Sequence, residues 1–132
     1  MSQWDPWFSD AELTCHCGCG EQKMDPEFME ELVKLRGQLG FPLPVTSGYR
    51  CPKHNNAVSF TGKDGPHTQG RAVDIHLYAE RLEALLMLLY SLPPWSTQHG
   101  IGLMQHGSFA ERFVHVDLAK TFVRPRTFTY AD

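Results

Sequence analysis

The sequence predicts an α+β fold: a compact single domain with a central, mostly antiparallel sheet flanked by helices. Three observations predict it. Two amphipathic helical stripes alternate with short apolar runs of strand length, in the order α, β, loop, β, α, β, β. No internal repeat, low-complexity segment or linker divides the chain. Its 132 residues suit one domain with a real core and are too few for two.

Each element has its own local reason. Trp4, Trp7 and Phe8 give the first residues too many aromatics for a disordered tail, so residues 1–24 are expected to pack on the domain as a Cys-containing segment. Ser9-Asp10-Ala11-Glu12 fits a capping box that opens a short helix. Asp25 is a good N-cap and Pro26 suits the first helical position. Phe28, Leu32, Leu35 and Leu39 then make one apolar stripe, closed by Gly40 and Pro42. Residues 43–46 read as a short buried strand running into Ser47-Gly48-Tyr49-Arg50. Residues 51–70 are turn-rich, with a short helix over Pro52–Val58 and an exposed loop beyond it.

Residues 72–77 alternate as a strand, with Ala72, Asp74 and His76 on one face and Val73, Ile75 and Leu77 on the other. A second helix runs from about residue 79 to 90 on Leu82, Leu85, Leu86 and Leu89, and Pro93-Pro94 stops it. Gly100–Met104 and residues 113–118 read as two further strands, with His106 and Gly107 in the loop between them.

Composition narrows the partners. A net charge of −3 gives no electrostatic case for a nucleic-acid partner. No apolar run approaches the roughly 20 residues that span a bilayer. Met1-Ser2-Gln3-Trp4-Asp5 shows neither the basic nor the apolar part of a secretory signal, so synthesis in the cytoplasm is expected; a monomer is expected as well. Seven histidines and four cysteines point instead towards metal chemistry.

The histidines form the sharper pattern. His67-Thr68-Gln69-Gly70-Arg71-Ala72-Val73-Asp74 is followed, much later, by Phe113-Val114-His115-Val116-Asp117. Two imidazoles and one carboxylate with a fourth position open for water are the usual set for catalytic zinc. Such an ion lowers the pKa of its water and polarises a carbonyl.

Around these residues stand Ser47-Gly48-Tyr49-Arg50-Cys51-Pro52 with Asn55, then His67-x-x-Gly70-x-Ala72-x-Asp74-Ile75, Gly100-Ile101-Gly102 and the His115 block. In these four ordered blocks, from about Phe8 to Phe128, the chain resembles the zinc D-Ala-D-Ala carboxypeptidase family of peptidoglycan peptidases, which includes bacteriophage L-alanyl-D-glutamate endopeptidases. The resemblance implies the fold of those enzymes, shared with hedgehog domains. It also implies one catalytic Zn2+ bound by His67, Asp74 and His115, with Arg50 on the substrate carbonyl or developing oxyanion. A fixed guanidinium suits that role because it offers several donors and keeps its charge.

The family places an acid or imidazole two or three residues before the last ligand, where this chain has Arg112 and Phe113. The remaining candidates for the general base are Glu111, His106 and Asp117. Asp117 reads better as the acceptor that orients the His115 ring. Gly65 stands where many relatives carry Ser or Thr. His76 either lines the site or is structural.

The resemblance implies a peptidase acting on the peptide stems of the bacterial cell wall, most closely an endolysin-like endopeptidase. The alternatives are a D-Ala-D-Ala carboxypeptidase and a non-catalytic wall-binding or phage structural module. With no separate wall-binding domain visible, recognition is expected from the cleft itself, walled by residues 58–66 and 104–112. Cys15, Cys17, Cys19 and Cys51 admit three readings: a structural metal site, disulfides, or free thiols. The one-residue spacing of the first three is tighter than in the usual zinc knuckle. A Cys51 nucleophile paired with His54 or His67 is a rival mechanism that no cysteine-peptidase signature supports.

Overall fold

The computed structural model describes residues 3–130. They begin with α1 (Asp10–Leu13), α2 (Pro26–Leu39), β1 (Val45–Ser47), α3 (Pro52–Val58) and β2 (Ala72–Ile75). They continue with α4 (Ala79–Ser91), α5 (Trp95–Gln98), β3 (Gly100–Met104), a 3₁₀ turn at Phe109–Glu111, β4 (Phe113–Asp117) and β5 (Arg126–Thr129).

Local chemistry starts the helices where the sequence predicts them. The Ser9 hydroxyl accepts the Glu12 N–H at 3.2 Å, and a Glu12 oxygen accepts the Ser9 N–H at 3.0 Å, which completes the capping box of α1. The other Glu12 oxygen accepts the Val45 N–H at 2.9 Å and so ties α1 to β1. Asp25 caps α2 by accepting the Phe28 N–H at 3.0 Å. The inner faces of α2 and α4 bury Phe28, Met29, Leu32, Leu35, Leu82, Leu85 and Leu89.

The five strands lie in the order β1-β2-β4-β3-β5, antiparallel except for the parallel pair β3–β5. Alternation then sorts the side chains by face. Val73, Ile75, Ile101, Val114 and Val116 join the helices in one apolar cluster, with Phe8 and Leu13 from the N-terminal segment. Asp74, His115 and Asp117 alternate with them along β2 and β4 and occupy the other face. One sheet therefore builds the core on one side and presents chemistry on the other.

Three elements were not predicted, each for a physical reason. The turn α5 carries Trp95, fully buried and edge-on to Phe28 at 5.9 Å, a tertiary contact rather than a periodic pattern. The 3₁₀ turn at Phe109–Glu111 buries nothing. The sequence of β5, Arg-Thr-Phe-Thr, is an exposed edge strand held by main-chain pairing to β3, which hydropathy does not register. The strands expected over 72–77 and 113–118 also end earlier, at Ile75 and Asp117.

Candidate metal centre and cleft

Strand register creates the centre. Asp74 on β2 stands directly opposite His115 on β4, and side chains at such positions have Cβ atoms about 4.5–5.5 Å apart. His67 arrives from the turn preceding β2. That turn depends on Gly70, whose φ of +69° is left-handed and whose missing Cβ leaves room for the Lys23 carbonyl. Arg71 then locks it: the buried guanidinium donates to Leu118 O at 2.6 Å, Asp25 Oδ2 at 2.6 Å and Glu27 Oε1 at 3.1 Å.

The three side chains converge. His67 Nε2 lies 3.3 Å and His115 Nδ1 lies 3.1 Å from Asp74 Oδ1, and all three donor atoms are within 4.8 Å of one another. Their relative exposures are 4%, 4% and 6% for His67, His115 and Asp74. The remote ring nitrogens fix the tautomers. His67 Nδ1 donates to the Gly48 carbonyl at 2.7 Å, which leaves the Nε2 lone pair facing inward. His115 Nε2 donates to Asp117 Oδ2 at 2.6 Å, which leaves Nδ1 facing inward.

Asp117 is itself fully buried and anchored, accepting two bonds from Arg124 at 2.8 Å each and one from the Ala119 N–H at 3.0 Å. Burial works to raise the Asp117 pKa, but His115 and Arg124 hold it well below the usual carboxylate range. Asp74 behaves alike: burial opposes its charge, and His67 and His115 outweigh burial. His67 is pushed down by burial, against the pull of Asp74. His115 also loses solvation, yet Asp117 and Asp74 raise it to about 9.

This donor set fits a cation. Asp74 and Asp117 draw positive charge to the His115 ring, and a metal cation held by both inward nitrogens and the Asp74 carboxylate would supply that charge in place of a proton. A tetrahedral zinc with bonds of about 2.1 Å spaces its donors by about 3.4 Å, close to the two separations from Asp74 Oδ1.

The trio lines a cleft of about 380 Å³. One wall is the predicted loop, including Val58, Phe60 and Pro66. The other is not residues 104–112 but the C-terminal segment, through Phe122, Arg124, Arg126, Phe128 and Tyr130. That segment reaches the site because β5 pairs in parallel with β3.

Arg50 is placed in the cleft by three acceptors: Ser47 Oγ at 3.2 Å, Asn55 Oδ1 at 3.4 Å and Asp74 Oδ2 at 3.2 Å. Buried Asn55 also donates to Thr61 Oγ1 at 2.8 Å and Gly62 O at 2.7 Å, so one amide holds both Arg50 and the loop. A Cβ at Gly65 would overlap the Thr61 hydroxyl, so Thr61 occupies the space of a side chain at 65.

The Gly100-Ile101-Gly102 block also acquires a reason. Gly100 pairs with Asp117, and a Cβ there would overlap the Asp117 carboxylate. Gly102 pairs with His115, and a Cβ there would lie 2.6 Å from the Phe128 ring. Phe128 packs against the His115 ring at 5.7 Å.

Of the candidate bases, Glu111 and His106 are exposed and neither lines the cleft, while the Asp117 carboxylate is spent on His115, Arg124 and Ala119. Among the described residues, the only carboxylate lining the cleft is Asp74. His76 lies outside it, with its ring 2.8 Å from the Arg112 carbonyl. The Cys51 sulfur turns away from the cleft to within 3.6 Å of Cys17. Sequence reasoning missed Arg124, Phe128 and Tyr130, which no spacing rule connects to the ligands.

The sequence profile of the family described as Peptidase M15 matches residues 6–117. The peptidoglycan L,D-endopeptidases MepK of Escherichia coli K12 and of Shigella flexneri are each 28% identical over 102 residues. The alignment covers 73% of this chain and 52% of each relative, so the chain spans about half the length of the curated relatives it matches. No solved structure matches it significantly. Since the profile extends over most of the chain and takes in Arg50, His67, Asp74 and His115, the protein belongs to the peptidase M15 family.

Proposed function

We propose that this protein is a zinc-dependent endopeptidase that hydrolyses amide bonds in peptidoglycan stem peptides at the bacterial cell wall. The observation that carries the reading is the convergence of His67 Nε2, Asp74 Oδ1 and His115 Nδ1 in the cleft, with both remote ring nitrogens tied to acceptors. Membership of the peptidase family supports hydrolysis, and the names of the MepK relatives support both peptidoglycan and an internal bond. A zinc ion held by the trio supplies Lewis acidity towards a carbonyl and makes water nucleophilic near neutral pH.

The protein's own groups do the rest. Arg50, beside Asp74, donates to the carbonyl oxygen as it gains negative charge, and its cation stabilises that charge best when water is excluded. The Tyr130 phenol is held protonated, first by burial and then by the Asp74 charge, so it serves as a hydrogen-bond donor in the cleft. Asp117 acts through His115, fixing the ring so that Nδ1 faces inward. Phe60 and Phe122 offer apolar contact to the peptide stem.

A second reading, a D-Ala-D-Ala carboxypeptidase, has one observation in its favour. Arg126 is an exposed cation lining the cleft, and a terminal carboxylate needs such a partner. Mass spectrometry of purified peptidoglycan incubated with the zinc-loaded protein separates the readings. Internal cleavage of stem peptides, abolished by a chelator and restored by zinc, is expected. Release of free D-Ala alone selects the carboxypeptidase. Full zinc occupancy with no product overturns the enzymatic reading.

A further inference from the structure

We propose that Cys15, Cys17, Cys19 and Cys51 bind a second zinc ion, a structural tetrathiolate site that clamps the N-terminal segment to the start of α3. The four sulfurs lie within 4.8 Å of one another, although Cys51 is 32 positions beyond Cys19 in the chain. Cys17 Sγ is 3.5 Å from Cys15 Sγ and 3.6 Å from Cys51 Sγ. A tetrahedral zinc with Zn–S bonds of about 2.3 Å separates its sulfurs by about 3.8 Å, whereas a disulfide needs about 2.05 Å and pairs each sulfur with one partner. One sulfur with two close sulfur neighbours suits the ion.

The surrounding backbone is arranged for sulfur acceptors. Cys15 Sγ accepts the Cys51 N–H at 3.3 Å, Cys51 Sγ the His54 N–H at 3.4 Å, and Cys19 Sγ the Glu21 N–H at 3.5 Å. Three amide dipoles thus favour negative charge on the sulfurs. The tight one-residue spacing is accommodated by a closed loop. The Cys15 N–H donates to Glu21 O at 2.9 Å, and Gly18 and Gly20 take φ of +91° and +75°, which L side chains rarely adopt. Cys15 and Cys51 are buried, while Cys17 and Cys19 close the site from the solvent side.

None of the four lines the cleft, yet the clamp bears on it. Cys51 follows Arg50 directly. Tyr49 N–H donates to Leu13 O at 3.1 Å, and a Cβ at Gly48 would lie 2.9 Å from Leu13 Cα. The segment between them supplies Gly48 O to His67 and Arg50 to Asp74. Pinning Cys51 to the Cys15–Cys19 loop therefore fixes a segment that orients one proposed catalytic ligand and positions Arg50.

Elemental analysis of the full chain is expected to find zinc that the Cys17→Ser/Cys19→Ser variant lacks by one equivalent and that His67→Ala retains at the cysteines. The count is separate from the catalytic reading: if the His67 site takes no zinc, the unmutated chain holds one equivalent, still lost with the cysteines. A measurement on the unmutated chain guards against variants that fail to fold. Cobalt reconstitution should give thiolate-to-cobalt charge-transfer absorption, and all four thiols should resist a thiol reagent until a chelator is added. Iron in place of zinc, fewer than four thiols after denaturation without reductant, or thiols that react freely before chelation would each overturn the proposal.

Discussion

Arg50 has three acceptors, on β1, α3 and β2, and each limits where its guanidinium can point. A lysine keeps the charge but not the planar fork. Arg50→Lys is therefore expected to lower kcat by about 10²- to 10³-fold, the usual loss on removing an oxyanion donor, with zinc content unchanged. Steady-state cleavage with parallel metal analysis checks it. Glu111 and His106 are exposed outside the cleft, so Glu111→Ala and His106→Ala are expected to leave the rate within about threefold and stability within about 0.5 kcal/mol. A hundredfold loss in either variant identifies that side chain as the base. The ligand trio was legible in the sequence through the family resemblance of its four ordered blocks, and strand register explains how Asp74 and His115 meet across the chain. Arg124 and Tyr130 were not, because they approach the ligands only through the pairing of a strand that local sequence does not announce.

β3 shows how a strand can be read for its glycines. Two glycines in five residues weaken an isolated strand, yet here they face the Asp117 carboxylate and the Phe128 ring, which fill the vacated space. Gly100→Ala would force the Asp117 carboxylate away from His115 and Arg124. We expect a destabilisation of about 1–3 kcal/mol, read by denaturant unfolding, together with weaker zinc binding because His115 loses its orienting acceptor. An unchanged midpoint and zinc affinity would show that the carboxylate has room to move. The helices were legible element by element, since stripe, cap and stop signal agree in α2, and stripe and stop signal in α4. The cleft wall was not: residues 104–112 look like a loop beside the site, but the parallel partner of β3 comes from residues 126–129 instead.

The molecule depends on its N-terminal segment, where Phe8 and Leu13 are fully buried and Cys15 and Met24 nearly so. Truncating one large buried side chain costs about 3–5 kcal/mol, and a domain's whole stability is about 5–15 kcal/mol. Deleting residues 1–24 is therefore expected to abolish the cooperative thermal transition, measured by calorimetry and circular dichroism. A truncated chain that still melts cooperatively would show the segment to be an appendage. Among the described residues, no helix is long and apolar enough to cross a membrane.

By itself the sequence determined the fold class, the two main helices and most of the sheet, because each rests on periodicity and local geometry; the His67, Asp74, His115 proposal came from the family resemblance that its ordered blocks carry. Tertiary structure decided the tautomers of both histidines, the anchoring of Asp117 by Arg124, the second cleft wall and the meeting of Cys51 with the Cys15–Cys19 loop. Some of these features join residues distant in the chain and others, such as Asp117 with His115 and Arg124, join near neighbours. All depend on where side chains point once strands register and one face packs against another.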